Sequence, residues 1–202
     1  MPDFFRTSIG DPELIRGAAR VLWCGTTIAF PVKIGDVINL STYDAQVNWF
    51  DLGATKTGVN ITVNNTEEAV EVDQVIGDLA VFPVSWECSV QTSLAEMNLD
   101  RLNIAWEGGG VTTDTSMVPN EKVMGFGMPV SYVQRRLAVL HQRPSGKVRA
   151  YIFRKVQRSA VESSAAFNKT GEQQSAPVRF RGFADLSIVD IYQRFFIIRD
   201  QQ

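Results

Sequence analysis

Residues 85–93 read Ser85-Trp86-Glu87-Cys88-Ser89-Val90-Gln91-Thr92-Ser93. Tryptophan, cysteine, valine and threonine occupy the even-numbered positions, whereas the odd-numbered positions hold only serine, glutamate and glutamine. Successive side chains of a β-strand point to opposite faces of a sheet. The alternation therefore predicts a strand with one face in the core and one face in water.

Strand-like alternation also flanks the tripeptide Pro144-Ser145-Gly146. Proline fixes its own φ and glycine tolerates unusual backbone angles, so the tripeptide suits the turn of a hairpin between strands at 133–143 and 147–156. In the second strand, Val148, Ala150, Ile152 and Val156 share one face, and Lys147, Arg149, Tyr151, Phe153 and Lys155 share the other. We expect one core face and one basic, aromatic face.

Further segments of strand-like composition lie at 18–24, 61–63, 69–75, 123–127, 177–184 and 194–199. They predict a mainly β protein, an antiparallel two-sheet β sandwich or barrel. A chain of 202 residues is long enough to bury one core without disulfides. We expect one domain at 17–185 with a long polar loop at 34–58, an N-terminal arm at 1–16 and a C-terminal arm at 186–202.

One flanking α-helix is predicted at about 93–107. Ser93 and Glu96 have the spacing of a capping box, in which each side chain accepts a hydrogen bond from a free backbone N–H of the first turn. Apolar residues then recur at helical spacing, at Ala95, Leu99, Leu102 and Trp106. Three glycines at 108–110 follow the helix, which fits a C-terminal cap better than a phosphate-binding loop, because phosphate loops precede helices.

Charge is segregated along the chain, although the formal net charge is only −2. The segment 57–100 holds eight acids and no base, and the segment 122–161 holds nine bases and no acid. The two segments could be neighbouring surfaces of one fold. Alternatively, an acidic face of one copy could meet a basic face of the next, a heterologous contact that builds rings or filaments. A third reading makes the basic segment a nucleic-acid site.

The sequence gives no positive evidence for an enzyme, and no catalytic, cofactor-binding or metal-binding residue is predicted. His141 is the only histidine, so it is read as structural. Cys24 and Cys88 lie in apolar surroundings and are expected to be buried and reduced. The acids Glu67, Glu68, Glu71 and Asp73 lack the spacing of a calcium loop. No phosphate-loop, nucleophile-elbow or zinc-protease motif is present.

The start of the chain lacks the pattern of a secretory signal peptide, and no apolar run approaches the roughly 18 residues that a membrane helix needs. We therefore expect no secretion and no membrane anchor.

A single-stranded nucleic-acid binding module is one functional alternative. Tyr151 and Phe153 interleave with Arg149 and Lys155, as stacking and charged residues do in single-strand binders. The acidic first half and a pI near 5.5 argue against it.

A stretch at 49–59 reads Trp49-Phe50-Asp51-Leu52-Gly53-Ala54-Thr55-Lys56-Thr57-Gly58-Val59, which has the pattern W-x-x-L-G-x-T-x-x-G-V. It is followed by an acidic strand at 67–73, a polar alternating strand at 84–91, a helix entry at 92–102 and closing strands that include 178–185. In content and order, these segments resemble the major tail tube protein of long, non-contractile-tailed bacteriophages of the siphovirus type. The resemblance spans roughly 17–185.

This resemblance implies a two-sheet β fold flanked by a helix, assembled as hexameric rings that stack head-to-tail into a hollow tube. The tube would surround a tape-measure protein, end at a tail terminator, and conduct DNA during genome ejection without binding it specifically. It also implies location in the virion tail, and in the host cytoplasm during assembly. Another ring-forming tail component, such as the terminator itself, is an alternative of the same class.

Three groups of residues are assigned on this hypothesis. Candidate contacts to the adjoining ring are Trp49, Leu52 and Lys56, although Trp49 could instead be a core residue of its own chain. Candidate lumen-facing residues, which would form an acidic wall that repels phosphates, are Glu71, Asp73, Glu87, Ser89 and Gln91. Candidate basic interface residues are Arg149 and Lys155. The apolar segment at 191–198 is a further candidate for docking on a neighbouring copy.

Overall fold

The alternating stretches form antiparallel strands in the computed structural model, which describes residues 19–71, 78–96, 98–107, 109–116, 118–127, 131–143, 145–159 and 175–201. Within these ranges the fold is mainly β with one α-helix, which confirms the predicted class. The predicted N-terminal arm at 1–16 lies outside the described residues.

Ten strands and one helix are described. In chain order they are β1 (Ala19–Gly25), β2 (Phe50–Asp51), β3 (Thr55–Glu71), β4 (Asp78–Leu94), α1 (Leu99–Trp106), β5 (Val111–Asp114), β6 (Glu121–Met124), β7 (Arg135–Gln142), β8 (Val148–Arg158), β9 (Ala176–Phe183) and β10 (Phe196–Asp200). Eight strands form one sheet in the order β2-β1-β7-β8-β9-β4-β3, with β10 also paired to β8. The strands β5 and β6 form a separate two-stranded sheet.

The large sheet forks at β8. The C-terminal end of β8 pairs with β9, with Lys155 opposite Phe183, whereas its N-terminal half pairs with β10, with Phe153 opposite Phe196. The strands β9 and β10 therefore pair with the same edge of β8, at successive positions along it. As a result, β10 ends one branch of the sheet, and β9, β4 and β3 form the other.

Both faces of the central strands are buried. One face packs against β4, β9 and α1 in a cluster that includes Val90, Phe153 and Phe180, and the other lies under residues 28–49 in a second cluster. The prediction of one core face and one basic, aromatic face on β8 is therefore wrong in that Phe153, on the second face, also belongs to the core. Phe153 is fully buried, because α1 and the neighbouring strands cover that face.

The helix begins later than the sequence predicted. Ser93 and Leu94 still belong to β4, and the N-cap is Asn98, whose side chain accepts a hydrogen bond of 2.9 Å from the backbone N–H of Arg101. Glu96 does not complete a capping box; it accepts instead from the backbone N–H of Ala54 at 3.1 Å. At the other end, the left-handed residue is Glu107 at φ 53° rather than a glycine.

The predicted hairpin at 133–156 is confirmed by β7 and β8, which Gly146 joins at a φ of 81° that favours glycine. The strand predicted at 61–63 and the described part, 69–71, of the strand predicted at 69–75 belong to a single strand, β3; residues 72–75 lie outside the described residues. The strand β3 is 17 residues long and pairs with an equally long β4.

The predicted long loop at 34–58 folds onto its own chain. It contains a 3-10 turn at Ile34–Asp36, the strand β2 and the start of β3. Trp49 is 6% exposed and Leu52 is fully buried, each in one of the two core clusters. Both side chains therefore occupy core positions, as in the alternative given above in which Trp49 is a core residue of its own chain. That this segment also contacts an adjoining ring stays a prediction.

The residues assigned to a C-terminal arm include the strand β10, which lies in the sheet of its own chain. The backbone N–H of Arg154 donates to the carbonyl of Phe195 at 3.0 Å, and the N–H of Gln201 donates to the carbonyl of Val148 at 3.0 Å. The carboxylate of Asp200 also accepts hydrogen bonds from Arg143 and Arg149.

Candidate assembly surface

The long hairpin of β3 and β4 extends past the rest of the sheet. Pairing between β4 and β9 ends at Cys88 opposite Gly182, whereas pairing between β4 and β3 continues to Asp78 opposite Glu71. We call the described residues beyond that point, 64–71 and 78–87, the arm. Ten residues of β4 correspond to about 33 Å of extended strand. The arm is thus a two-stranded projection with no third strand among the described residues.

Large apolar side chains of the arm lie in water. Trp86 is 55% exposed, Phe82 58% and Val84 60%, and Val81 is also exposed. Monomeric soluble proteins rarely leave large apolar patches uncovered, and such patches mark interaction sites. The arm is therefore a candidate contact surface for another protein chain.

The predicted alternation of residues 85–93 is confirmed in part. Cys88, Val90 and Thr92 are buried, as expected for the core face. Trp86 belongs to the same alternation but is exposed, because β9 no longer accompanies β4 at that level. The sequence alone does not reveal the arm, because alternation does not show where a neighbouring strand stops.

An open groove of about 880 Å³ separates the arm from β10. Its walls are mainly apolar and include Val63, Pro83, Trp86, Tyr192, Phe196 and Ile198. The groove lies in the fork of the sheet, where β4 and β10 have no strand between them. It continues the exposed apolar surface of the arm onto the body of the chain.

The opposite face of the hairpin is polar and holds a smaller pocket of about 220 Å³. Its lining side chains include Thr62, Asn64, Glu87, Ser89, Arg179 and Arg181. Arg181 and Glu87 form an ion pair, and both side chains are about half exposed. The arginines were not assigned a role from the sequence, although their alternation with the buried Val178 and Phe180 was a usable signal.

The predicted lumen residues are only partly described. Glu87 and Gln91 are exposed and Ser89 is buried, while Asp73 and the side chain of Glu71 lie outside the described parts. The described part of this face carries arginines as well as acids, and its position in a lumen stays a prediction. Arg181 and Arg179 of β9 lie opposite Ser89 and Gln91 of β4, and Arg181 also forms an ion pair with Glu87.

The predicted basic interface residues have partners within their own chain. Arg149 donates to Asp200 at 2.7 Å, and Lys155 donates to Asp185 at 2.9 Å. The nucleic-acid platform predicted on the same strand is wrong, because Phe153 is buried with its ring 5.0 Å from that of Phe196. The third inter-ring candidate, Lys56, is exposed at the start of β3.

The ion pairs show where the bases of the segment 122–161 find their acidic partners. Among the described residues, the pair of Lys122 and Asp100 is the one that joins the basic segment 122–161 to the acidic segment 57–100. Other bases of the segment pair with Glu107, Asp185 and Asp200, which lie elsewhere in the sequence. Ion pairs among the described residues therefore give little support to the reading of the two segments as neighbouring surfaces of one fold.

The Asp185 carboxylate predicts a pH-dependent contribution to stability. Hydrogen bonds from Ser187 and Lys155 lower its pKa from 3.8 to about 2. Because the pKa is depressed in the folded protein, the stabilisation is present above the unfolded-state pKa and is lost as the pH falls from about 4 to about 2. In Asp185→Asn this dependence should be missing from urea unfolding curves between these pH values. An unchanged dependence would mean that other carboxylates produce it.

The two cysteines and the histidine are buried. Burial raises the pKa of both Cys24 and Cys88 to about 11, which leaves the thiols protonated and unreactive at neutral pH. His141 is buried in β7. Across the described ranges, no group of three or more potential metal ligands is present. No helix among the described residues is long and apolar enough to cross a membrane.

Comparisons with known proteins find likenesses among solved structures. No protein family matches the chain, and no curated protein matches it. Among solved structures, the chain is similar to one in a six-fold symmetrised cryo-EM structure of the anti-feeding prophage (AFP) baseplate. The sequences are 10% identical, the TM-score is 0.44, and the match covers 94% of this chain and 92% of the other.

Proposed function

We propose that this chain is a structural subunit of a bacteriophage-type tail, which assembles head-to-tail with copies of itself into a hollow tube that conducts DNA. The observation that carries the proposal is the arm. It extends two paired strands about 33 Å beyond the sheet and leaves Phe82, Val84 and Trp86 in water. Burial of these side chains against another copy would supply the driving force for assembly.

Backbone groups support the same role for the arm. Within the described sheet, β3 is an end strand that pairs with β4 alone, and the arm part of β4 pairs with β3 alone. Both outer edges of the arm therefore present unpaired N–H and C=O groups. Exposed strand edges pair readily with other chains, so folded proteins usually cover them. A neighbouring copy would cover both the edges and the apolar side chains.

A contact of the arm with a different surface of the next copy is heterologous, and repetition of such a contact builds rings or filaments. The sequence resemblance supplies the finer expectations: six copies in a ring, stacking of the rings, an enclosed tape-measure protein and a tail terminator. Of the lumen candidates Glu87, Ser89 and Gln91, we keep Gln91, which is exposed and does not line the polar pocket.

Removal of the apolar side chains of the arm tests the proposal. We expect wild-type protein to form large species as its concentration rises in sedimentation velocity experiments. The double variant Val84→Ser and Trp86→Ser should need a concentration higher by about tenfold or more, because buried aromatic anchors dominate interface energies. Both side chains are more than half exposed, so the fold of the single subunit should persist.

Val118→Ser is the matched control, since Val118 is also highly exposed but lies between β5 and β6, outside both the arm and the segment 34–58. It should assemble like the wild type. Equal assembly of the arm variant and the wild type would contradict the role of the arm.

A further inference from the structure

The polar pocket beside the hairpin contains more positive than negative charge. Two guanidinium groups, from Arg179 and Arg181, enter it, against one carboxylate, from Glu87. Glu87 is bound to Arg181. Thr62, Asn64, Cys88, Ser89 and Ser159 complete the lining. Guanidinium and hydroxyl donors around a space of about 220 Å³ suit a single oxyanion.

Arg179 lacks an anionic partner among the described residues. Its Nη2 makes only a long hydrogen bond of 3.5 Å to the hydroxyl of Ser89, and its Nε is buried with no hydrogen-bond acceptor. Buried donors of a charged group are costly to leave unpaired. A carboxylate placed in the pocket would satisfy them.

Glu68 is a carboxylate that lacks a cationic partner among the described residues. Its side chain is exposed on the arm and forms no hydrogen bond or ion pair with any described residue. By contrast, the side chain of the neighbouring Glu67 accepts a hydrogen bond from Asn65 at 2.6 Å. Alternation along β3 puts Glu68 on the same face of the hairpin as Thr62 and Asn64. Its carboxylate is therefore available on the same face of the hairpin as the pocket, next to its cross-strand neighbour Phe82.

The two groups cannot meet within one chain. Arg179 is in register with Gln91, and Gln91 with Asn60. Glu68 is eight residues farther along β3, about 26 Å at the usual rise of a strand. That distance exceeds what the two side chains can bridge, so a contact between them has to join two copies.

We infer that the pocket around Arg179 is the acceptor site for Glu68 on the arm of a second copy. The inference rests on the proposed function and names the charge pair of its head-to-tail contact. Because the donor and the acceptor are different surfaces of one chain, each copy can use both at once, and the contact repeats.

A carboxylate fits this pocket better than a nucleic acid does. Nucleic-acid binding needs a stripe of several positive charges to neutralise successive phosphates. On this face Glu87 and Glu68 accompany the two arginines, and they would repel a polyanion. A single side-chain carboxylate requires only the one pocket.

Charge reversal tests the pairing by sedimentation velocity. Arg179→Glu and Glu68→Arg should each raise the concentration needed for assembly by about tenfold or more, because each places like charges in contact. The two changes combined in one chain should restore assembly, since the pair is then rebuilt in reverse. Glu121→Arg is the control, because Glu121 is an exposed acid on β6, away from the hairpin.

Circular dichroism and the unfolding temperature of each variant show whether the subunit is folded. If Arg179→Glu is unfolded, Arg179→Gln takes its place, with an expected weaker loss of assembly that high salt reproduces in the wild type. Assembly of these variants at wild-type concentrations overturns the inference and leaves the proposed function intact. Failure of the double variant to recover also overturns the pairing, as does oligonucleotide binding that Arg179→Glu abolishes. A wild type that never assembles overturns both.

Discussion

Trp49→Ala is expected to lower the free energy of unfolding by about 3–5 kcal/mol, as for other large aromatic side chains removed from a core. Trp49 is 6% exposed and packs in the cluster that covers the outer face of β1, β7 and β8 with residues such as Leu22 and Ile38. Single domains are stable by only about 5–15 kcal/mol. The variant should therefore unfold at much lower urea concentrations than the wild type.

Val47→Ala provides the control for this change. Val47 lies in the same segment but is 82% exposed, so its truncation should change the free energy of unfolding by no more than about 0.5 kcal/mol. If Trp49→Ala kept wild-type stability and lost only assembly, Trp49 would be the inter-ring anchor that its polar sequence surroundings first indicated.

Glu107→Gln is expected to destabilise the fold by about 3 kcal/mol or more. Glu107 follows α1 and Arg135 begins β7, and their side chains form an ion pair that is almost completely buried. The guanidinium of Arg135 also lies 5.5 Å from the ring centre of Trp23. Loss of the carboxylate charge would leave a buried cation without its counter-ion, which costs more than an intact pair contributes.

Glu87→Gln is the matched control, because it removes the same charge from a pair with Arg181 in which both side chains are about half exposed. Exposed pairs contribute at most about 1 kcal/mol. Urea unfolding of both variants under conditions that keep the wild type monomeric gives the comparison. Similar losses of unfolding free energy in the two variants would show that burial does not govern the energetics of the ion pair between Glu107 and Arg135.

Local patterns predicted the strands well. The alternation at 85–93, the turn around Gly146 and the run at 177–184 each led to a strand or hairpin that the structure contains. These elements depend on the period of two and on turn chemistry, both of which are present in a short window of sequence.

The start of the helix depended on tertiary structure instead. The spacing of Ser93 and Glu96 fits a capping box, but Ser93 and Leu94 pair with Pro177 and Ala176 of β9. Their backbone groups therefore belong to the sheet, and the chain turns into a helix only after Asn98. A capping motif cannot compete with a ladder whose other strand lies about 80 residues away in the sequence.

The contact surfaces depended on distant segments as well. Alternation in β8 identified which residues share a face, but not that β10 would supply Asp200 to Arg149, a residue 51 positions earlier. In the same way, exposure of Trp86 follows from where β9 ends. The aromatic platform was misplaced for this reason, and the arm and Arg179 were missed.

Electron microscopy of the purified protein at high concentration tests the self-assembly of this chain most directly. The account predicts hollow rings or tubes in the images, which become rarer when Val84 and Trp86 are changed to serine. A field of isolated particles of the size of one 22.5 kDa chain, at every salt and protein concentration, would contradict it.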